Sequence, residues 1–535
     1  MTDHESLVRR SLAGTDAFDE RVRAQADRLT DALADGAFDN AAATLGLELE
    51  VYALAGDGED ERRTLAPIPD GVYEGPADKE LGLHNAELNA APSRFDDDGV
   101  AAQAAEIEGD LAATRERARE HGLEIVLDAM PAVAPAGGTH AYLDDVVVEG
   151  GPTSTGERPV VVPGGGADDP VLVARNMRKD PRYGALDNVA VRRAGGEIDF
   201  SVPGAELGFR TILFESLATS IQPHVQVPDP AEFPRYHNLA TRTLGPLVAL
   251  SANSPFLPGD CYDADDPERL VAETHHELRI AAFEQSMNQG CRKVRVPEDL
   301  DDPADALEQV VADDTFAPFL REWIEDEGDV EEEGQKGGDP ASAAWEFDYK
   351  RGTFWRWVRG VAGGDAVDGA CDRRSLRIEY RPLPTQPTVR DIVGLQVLTA
   401  GLLRGLVAAD HPLADLPWDD AERSFYAAVE DGLDGDLAWV TADGERTDDS
   451  DEIFAEVFEF ARRGLAEQGV GEETRDRYLD PIEARREAGV TPSAWKKARV
   501  REHLDDGADL EEALARMQGE YVELSREREH FAEWI

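Results

Sequence analysis

Leu45-Gly46-Leu47-Glu48-Leu49-Glu50-Val51-Tyr52-Ala53-Leu54 reads as a strand by its apolar alternation, and two carboxylates interrupt that pattern. With a period of two, Glu48 and Glu50 project from one face, about 7 Å apart. Carboxylates on a mostly apolar strand are costly unless water or a cation meets them. Taken alone, the alternation is that of an amphipathic edge strand with its polar face in water. Two neighbouring carboxylates also suit a hard cation such as Mg²⁺, which is held by one or two carboxylates plus substrate phosphates. What the rest of the chain sets beside this strand decides between the two.

Three further stretches repeat the pattern. Leu81-Gly82-Leu83-His84-Asn85-Ala86-Glu87-Leu88-Asn89 sets Glu87 two residues before Asn89 on a strand-like alternation. Residues 219–227, Thr-Ser-Ile-Gln-Pro-His-Val-Gln-Val, place Gln222, His224 and Gln226 on one face, although a lone strand histidine is more often a hydrogen-bonded core residue than a ligand. Leu376-Arg377-Ile378-Glu379-Tyr380-Arg381 aligns Arg377, Glu379 and Arg381 in the same way. Helical spacing covers 5–40, 98–121 (followed by a strand at 123–127) and 231–250, which ends in the turn Ala252-Asn253-Ser254-Pro255-Phe256. His275-His276-Glu277 opens no zinc-protease pattern and is expected to cap or face the helix that follows. From about 390 to the end the pattern is helical.

Composition sets limits on partners. The chain has 535 residues, room for two to four domains, with 41% hydrophobic residues to build their cores. Its 111 acidic against 54 basic residues give a net charge of -57 and a pI near 4.4. Such a surface repels nucleic acid and anionic membrane. Molar salt would screen its self-repulsion, so the charge is expected to reflect a salt-rich cytoplasm rather than a substrate. Cys261, Cys291 and Cys371 are too few and too scattered for a disulfide framework and are expected to be reduced thiols. The start, Met1-Thr2-Asp3-His4-Glu5, lacks a basic region followed by an apolar run, and no long uninterrupted apolar stretch occurs. Neither a signal peptide nor a membrane span is expected, and the localisation read from this is cytoplasmic.

Two loop regions and one basic cluster remain. The Gly164-Gly165-Gly166 triple has no Gly-Lys-Ser/Thr after it and reads as a flexible turn, as does the polar run at 56–60. Residues 325–342 are acidic and glycine-rich, a solvated surface insertion. Arg351-Gly352-Thr353-Phe354-Trp355-Arg356-Trp357-Val358-Arg359 gathers arginines and tryptophans, which in a basic protein would be a stacking patch for nucleic acid. In so acidic a chain these arginines are better suited to a small anion, a nucleotide phosphate or a carboxylate. Arg356 and Arg359 are expected to contact it; the alternative is an Arg-Trp stack that closes the core.

Taken in order, these pieces resemble the glutamate-cysteine ligases and related carboxylate-amine ligases, which share a glutamine-synthetase type of active-site sheet. The match runs through Glu48-Leu49-Glu50, Glu87-Leu88-Asn89, Gly138-Thr139-His140, Arg182-Tyr183, His224-Val225-Gln226-Val227, the turn at 252–256, Gly352-Thr353 with Trp355-Arg356-Trp357, and Glu379-Tyr380-Arg381 followed by Gln386-Pro387-Thr388. It implies an α+β fold in which an antiparallel active-site sheet forms a funnel, flanked by helices. The expected organisation is a helical lead-in at 1–42, a catalytic domain at 43–410 and a helical region at 411–535.

The resemblance implies Mg²⁺ as cofactor and ATP as a substrate, with Glu48, Glu50, Glu87, His224 and Glu379 as metal ligands and Glu80 as a weaker candidate. Arg381 is implied as the cation that meets the transferring phosphoryl group. Asn89, Arg182, Gln222, Thr353, Arg356 and Arg359 are implied in binding substrate or ATP. Glu50 and Glu379 are expected to share ions. The activity implied is ATP-dependent activation of the γ-carboxylate of glutamate as an acyl phosphate and its joining to an amine, cysteine by default. A different acid or amine, or a catalytically silent binding protein on the same fold, stays open, as does a homo-oligomer. Many relatives carry His-x-His where this chain has Gln222-Pro223-His224, and the insertion at 325–342 and the long helical C-terminus depart from the usual pattern.

Overall fold

The computed structural model describes residues 4–535 apart from 57–62, 150–169, 264, 326–343, 365, 368, 372 and 373. The triple glycine and most of the turn at 56–60 and of the insertion at 325–342 therefore lie outside the described residues. The strand expected at 45–54 is the hub of an antiparallel sheet. The sheet's members are β1 (Thr44–Ala55), β2 (Thr64–Leu65), β3 (Asp78–Lys79), β4 (Asn85–Arg94), β5 (Leu123–Val126), β6 (Ile221–Gln226), β7 (Val358–Gly363) and β8 (Ser375–Tyr380). Their order is β7-β8-β6-β1-β4-β3, with β2 and β5 paired to the far half of β1. Along β1 every residue is buried except Glu48, Glu50 and Ala55. The carboxylates thus open a polar strip in a strand otherwise packed on both sides, not at an edge.

Pro223 sits in a central strand, where a residue without an amide hydrogen is unexpected. The ladder between β6 and β8 shows how it is accommodated. His224 pairs with Glu379, whereas beyond Pro223 the Ile221 amide donates to Leu383 O (3.0 Å) and Ser220 bridges Pro384. One extra residue therefore lies on the β8 side, a bulge that falls beside Glu379 and Arg381. Two local expectations are corrected. The stretch at 81–84 is a turn, closed by the Gly82 amide on Asn85 Oδ1 (3.0 Å), and the strand begins at Asn85. The helix expected over 231–250 is two helices, Phe233–Arg242 and Leu244–Ser251, because a break at Thr243 keeps Pro246 in a first turn, where its missing donor is not needed.

The fold is α+β with a helical C-terminal region: Val389–Ala408, Trp418–Asp431, Ser450–Glu467, Glu472–Ala488, Pro492–Asp505 and Leu510–Glu527. Helices 389–408 and 450–467 approach through glycines; a Cβ on Gly464 would lie 2.0 Å from Gly401 O. One buried cluster runs from Leu7 to Val522 and joins the helices between 389 and 488 to the core of the sheet, while the last two helices build a second cluster around Trp495, Leu514, Met517 and Tyr521. Several segments that carried the resemblance tether them. Asn253 Nδ2 donates to Thr385 O (2.7 Å) and to Tyr521 Oη (2.9 Å). Gln386 Oε1 accepts from the fully buried Arg485 (2.7 Å), and Thr388 caps helix 389–408. Among the described residues, helix Val389–Ala408 is the one long and apolar enough to cross a membrane, and most of it is buried in the protein.

Candidate active site

Register places the site. β1, β6 and β8 are neighbours, and the pairing His224↔Glu379 brings those two side chains together while Glu48 reaches them from β1. His224 Nε2 lies 3.4 Å from Glu48 Oε1 and 3.8 Å from Glu379 Oε2. One ligand atom from each of the three falls within 4.8 Å of the others. Burial holds the imidazole below its ordinary pKa even though Glu48 and Glu379 pull it upward. It is therefore a neutral ring whose Nε2 is buried without a hydrogen-bond partner. A neutral imidazole nitrogen aimed between two carboxylates fits a divalent cation, the oxygens suiting Mg²⁺ or Mn²⁺.

Two arginines fix this group. Arg359 reaches Glu379 Oε1 through Nε (2.9 Å) and Nη2 (2.8 Å), and its Nη1 donates to Arg351 O (3.0 Å) and Phe354 O (3.1 Å). Arg381 touches both Glu379 Oε1 and Gln222 Oε1 through Nη1, and its Nε is buried with no partner. Burial alone would raise the Glu379 carboxyl; Arg359 and Arg381, with His224, instead hold it well below the usual range. Glu379 is thus ionised before any metal arrives.

Glu50 belongs to a second group. Its carboxylate accepts from the Ser220 amide (2.7 Å) and from Gln222 Nε2 (3.3 Å), and it is not among the three residues that converge at His224. Gln222 links the groups, donating to Glu50 and accepting from Arg381. Glu87 pairs with Glu50 across β1 and β4 and accepts from Asn89 Nδ2 (2.7 Å). Burial raises Glu80 to about 7, assisted by Glu50 and Glu48. Burial with Glu48, Glu80 and Glu50 pushes Glu87 well above the usual range. Like charges that raise one another in a recess cannot all ionise unless a cation joins them.

Two residues of the site escaped the strand-based reading. Glu215 lies in a short 3-10 turn, Leu213–Leu217, and burial with Glu50 and Glu80 raises it to about 8. Arg279, in the first turn of helix Leu278–Met287, is buried; it donates to Pro382 O and lies 3.3 Å from Glu277. Neither obeys a period of two, so the only sequence signal was a charge inside an apolar run. Glu277 precedes that helix, but its carboxylate binds the turn, accepting from the Asn253 amide (2.9 Å) and Ser254 Oγ (2.5 Å).

The remaining implied residues divide. Asn89 is exposed beside Glu87. Arg182 packs on the Tyr349 ring (4.9 Å) and against Gly352, where a Cβ would lie 2.1 Å from Arg182 Nη2. Thr353 is fully buried, and its hydroxyl donates to Lys350 O (2.9 Å) and closes the preceding helix. Arg356 lies apart from the recess carboxylates. It donates to Asp313 Oδ1 (2.9 Å) and to Lys293 O and stacks on Phe354 (4.2 Å), lining a separate cleft of about 330 Å³ with Arg292, Arg295 and Glu298. Arg359 lies within β7 and pairs with Glu379 across the sheet, whereas Arg356 precedes the strand and is bridged to Arg295.

The family model for glutamate-cysteine ligase family 2 matches residues 44–523. The chain belongs to that family. The family's span takes in most of the C-terminal helical region, which corrects the expectation that this region is a departure from the pattern. Among solved structures the chain is similar to a glutamate-cysteine ligase from Francisella tularensis in complex with AMP (14% identity, 92% of this chain and 90% of that one, TM-score 0.48). It is also similar to a bifunctional glutathione synthetase from Pasteurella multocida (14% identity, 94% of this chain, 55% of that one, TM-score 0.48). A glutamine synthase homologue shows 11% identity over 94% of this chain and 75% of its own, with a TM-score of 0.26. No curated protein matches the chain.

Proposed function

We propose that this family member is an ATP- and Mg²⁺-dependent ligase that activates the γ-carboxylate of glutamate and joins it to an amine, cysteine by default. The observation that carries the reading is the convergence of Glu48, His224 and Glu379 under Arg381, beside a second recess of carboxylates. A carboxylate oxygen attacks the γ-phosphorus of ATP and ADP leaves. The amine nitrogen then attacks the acyl carbon, and phosphate departs carrying that oxygen. Phosphoryl transfer asks the protein for positioning and for neutralisation of charge rather than for covalent help. Bound Mg²⁺ at Glu48, His224 and Glu379 would supply part of that neutralisation.

The protein's own groups supply the rest. Arg359 holds Glu379 in place from behind. Arg381, tied to Glu379 and Gln222, presents a fixed cation to the developing charge at the phosphoryl oxygens. Because both groups are set before substrate arrives, little reorganisation is needed at the moment of transfer.

An amine screen scored by phosphate release in molar KCl tests the proposal. Release is expected only when ATP, Mg²⁺, glutamate and an amine are all present. Release with another acid in place of glutamate would revise the substrate. No release with any acid and amine pair, together with no thermal shift on adding Mg²⁺ and ATP, would make the chain a silent scaffold.

A further inference from the structure

The C-terminal helix Pro492–Asp505 places a lysine against Asp128, just beyond β5. This residue, Lys496, is buried; its Nζ contacts Asp128 Oδ1 and donates to Asn253 O (2.7 Å), 4.4 Å from the centre of the Tyr521 ring. Asp128 follows β5, and its other oxygen accepts from Tyr52 Oη (2.9 Å) and Gln518 Nε2 (3.0 Å). Tyr52 is two residues beyond Glu50 and therefore shares its face of β1.

A second path leads from the same lysine to Glu50. Asn253 Nδ2 donates to Thr385 O, Thr385 Oγ1 donates to Glu50 O (2.8 Å), and the Thr385 amide donates to Thr219 O (3.2 Å). The Thr219 hydroxyl binds Asp128 O, and the next amide, Ser220, donates to Glu50 Oε2 (2.7 Å). From one buried cation, one path thus reaches Tyr52 on β1, and the other reaches the Glu50 carbonyl and, through the Thr219–Ser220 backbone, its carboxylate.

Resting on the metal-dependent reading above, we propose that Lys496 is a positioning residue: from the C-terminal helices it fixes Glu50 for metal binding. Glu50 faces Glu87 across the β1–β4 ladder, with Glu48 and Glu80 also repelling it, and the Ser220 amide and Gln222 hold its carboxylate there, with Arg279 and Arg381 nearby. Outer partners of this kind orient metal ligands, and their loss costs about 10–100-fold in metal affinity.

Lys496→Met alone would leave Asp128 buried without its cation and could unfold the protein. The test variant therefore pairs Lys496→Met with Asp128→Asn, which removes both charges and keeps the shapes. Mn²⁺ binding is measured by paramagnetic resonance titration in molar KCl, with no substrate present. The folded double variant is expected to bind Mn²⁺ about tenfold more weakly than wild type. Adding back charge by Lys496→Arg, with Asp128 intact, should recover most of the affinity. If the double variant does not fold, Tyr52→Phe breaks the strand-side path alone, with about a threefold loss expected, a fraction of the outer-partner range. Unchanged Mn²⁺ affinity in a folded variant would overturn the proposal, as would a wild type that binds no Mn²⁺. Wild type that binds Mn²⁺ but releases no phosphate would overturn the ligase reading and leave this inference standing.

Discussion

The two halves of the acidic recess are built from the same residue type and behave in opposite ways. At His224, Glu379 is flanked by Arg359 and Arg381 and stays ionised in the metal-free protein. At Glu50, the neighbours are Glu48, Glu80, Glu87 and Glu215 together with Arg279 and Arg381, and burial with mutual repulsion still raises Glu80, Glu87 and Glu215. One half has arginines bonded directly to its carboxylate; the other has Arg279 and Arg381 near Glu50 yet keeps Glu80, Glu87 and Glu215 raised, open to a cation or to protons. Arginine placement, not acid count, separates a standing anion from a site that takes up charge.

The largest expected effect comes from breaking the arginine-bonded half. Glu379→Gln should lower turnover by about 10²-fold or more by removing a ligand beside the phosphoryl group. It should also destabilise the protein by about 3 kcal/mol, because Arg359 and Arg381 lose their buried partner. Added KCl should not repair this, since salt screens exposed charges rather than buried ones. Glu87→Gln sharpens the contrast: turnover should fall, yet the metal-free melting temperature at pH 8 should rise, because a repelling carboxylate has gone. Equal shifts of the same sign in both variants would erase the distinction between the halves.

The next effect is on pH. Glu80 rises to about 7 and Glu215 to about 8, against an ordinary value of 4.5. For acids raised by folding, the folded state holds protons that the unfolded state has released, so stability falls as pH rises from about 4.5 toward 8. Melts in EDTA should show this decline, and Mg²⁺ should flatten it while releasing protons into weakly buffered solution. A flat profile in EDTA would count against the raised half. The smallest effect is expected at Arg356, which faces Asp313. Arg356→Lys should leave the KM for ATP and glutamate within about twofold and should cost about 1 kcal/mol, the size of a lost hydrogen bond.

The polar strip was legible wherever one strand carried it. Alternation located Glu48, Glu50, Glu87, His224 and Glu379, and strand pairing brought Glu48, His224 and Glu379 together. Alternation could not tell which carboxylates meet, since register depends on bulges such as the one at Pro223; Glu379 converges with Glu48 and His224, while Glu50 lies in the neighbouring group, joined to it through Gln222. Glu215 and Arg279 sit on a turn and a helix, where a period of two says nothing. Thr353 and Arg356 had fitting chemistry but precede the strand, Thr353 in the core and Arg356 on Asp313. Asn253 and Gln386 looked like site pieces, yet their partners, Tyr521 and Arg485, are more than ninety residues away in sequence.

The activation step itself can be followed atom by atom. Glutamate labelled with ¹⁸O in its γ-carboxylate, incubated with ATP, Mg²⁺ and the accepted amine, yields phosphate that can be weighed by mass spectrometry. An acyl phosphate route predicts one ¹⁸O in each phosphate released, in step with amide formed, and about a hundredth as much labelled phosphate or less when Glu379→Gln replaces wild type at equal time. Phosphate without label while amide accumulates would contradict carboxylate activation at this site.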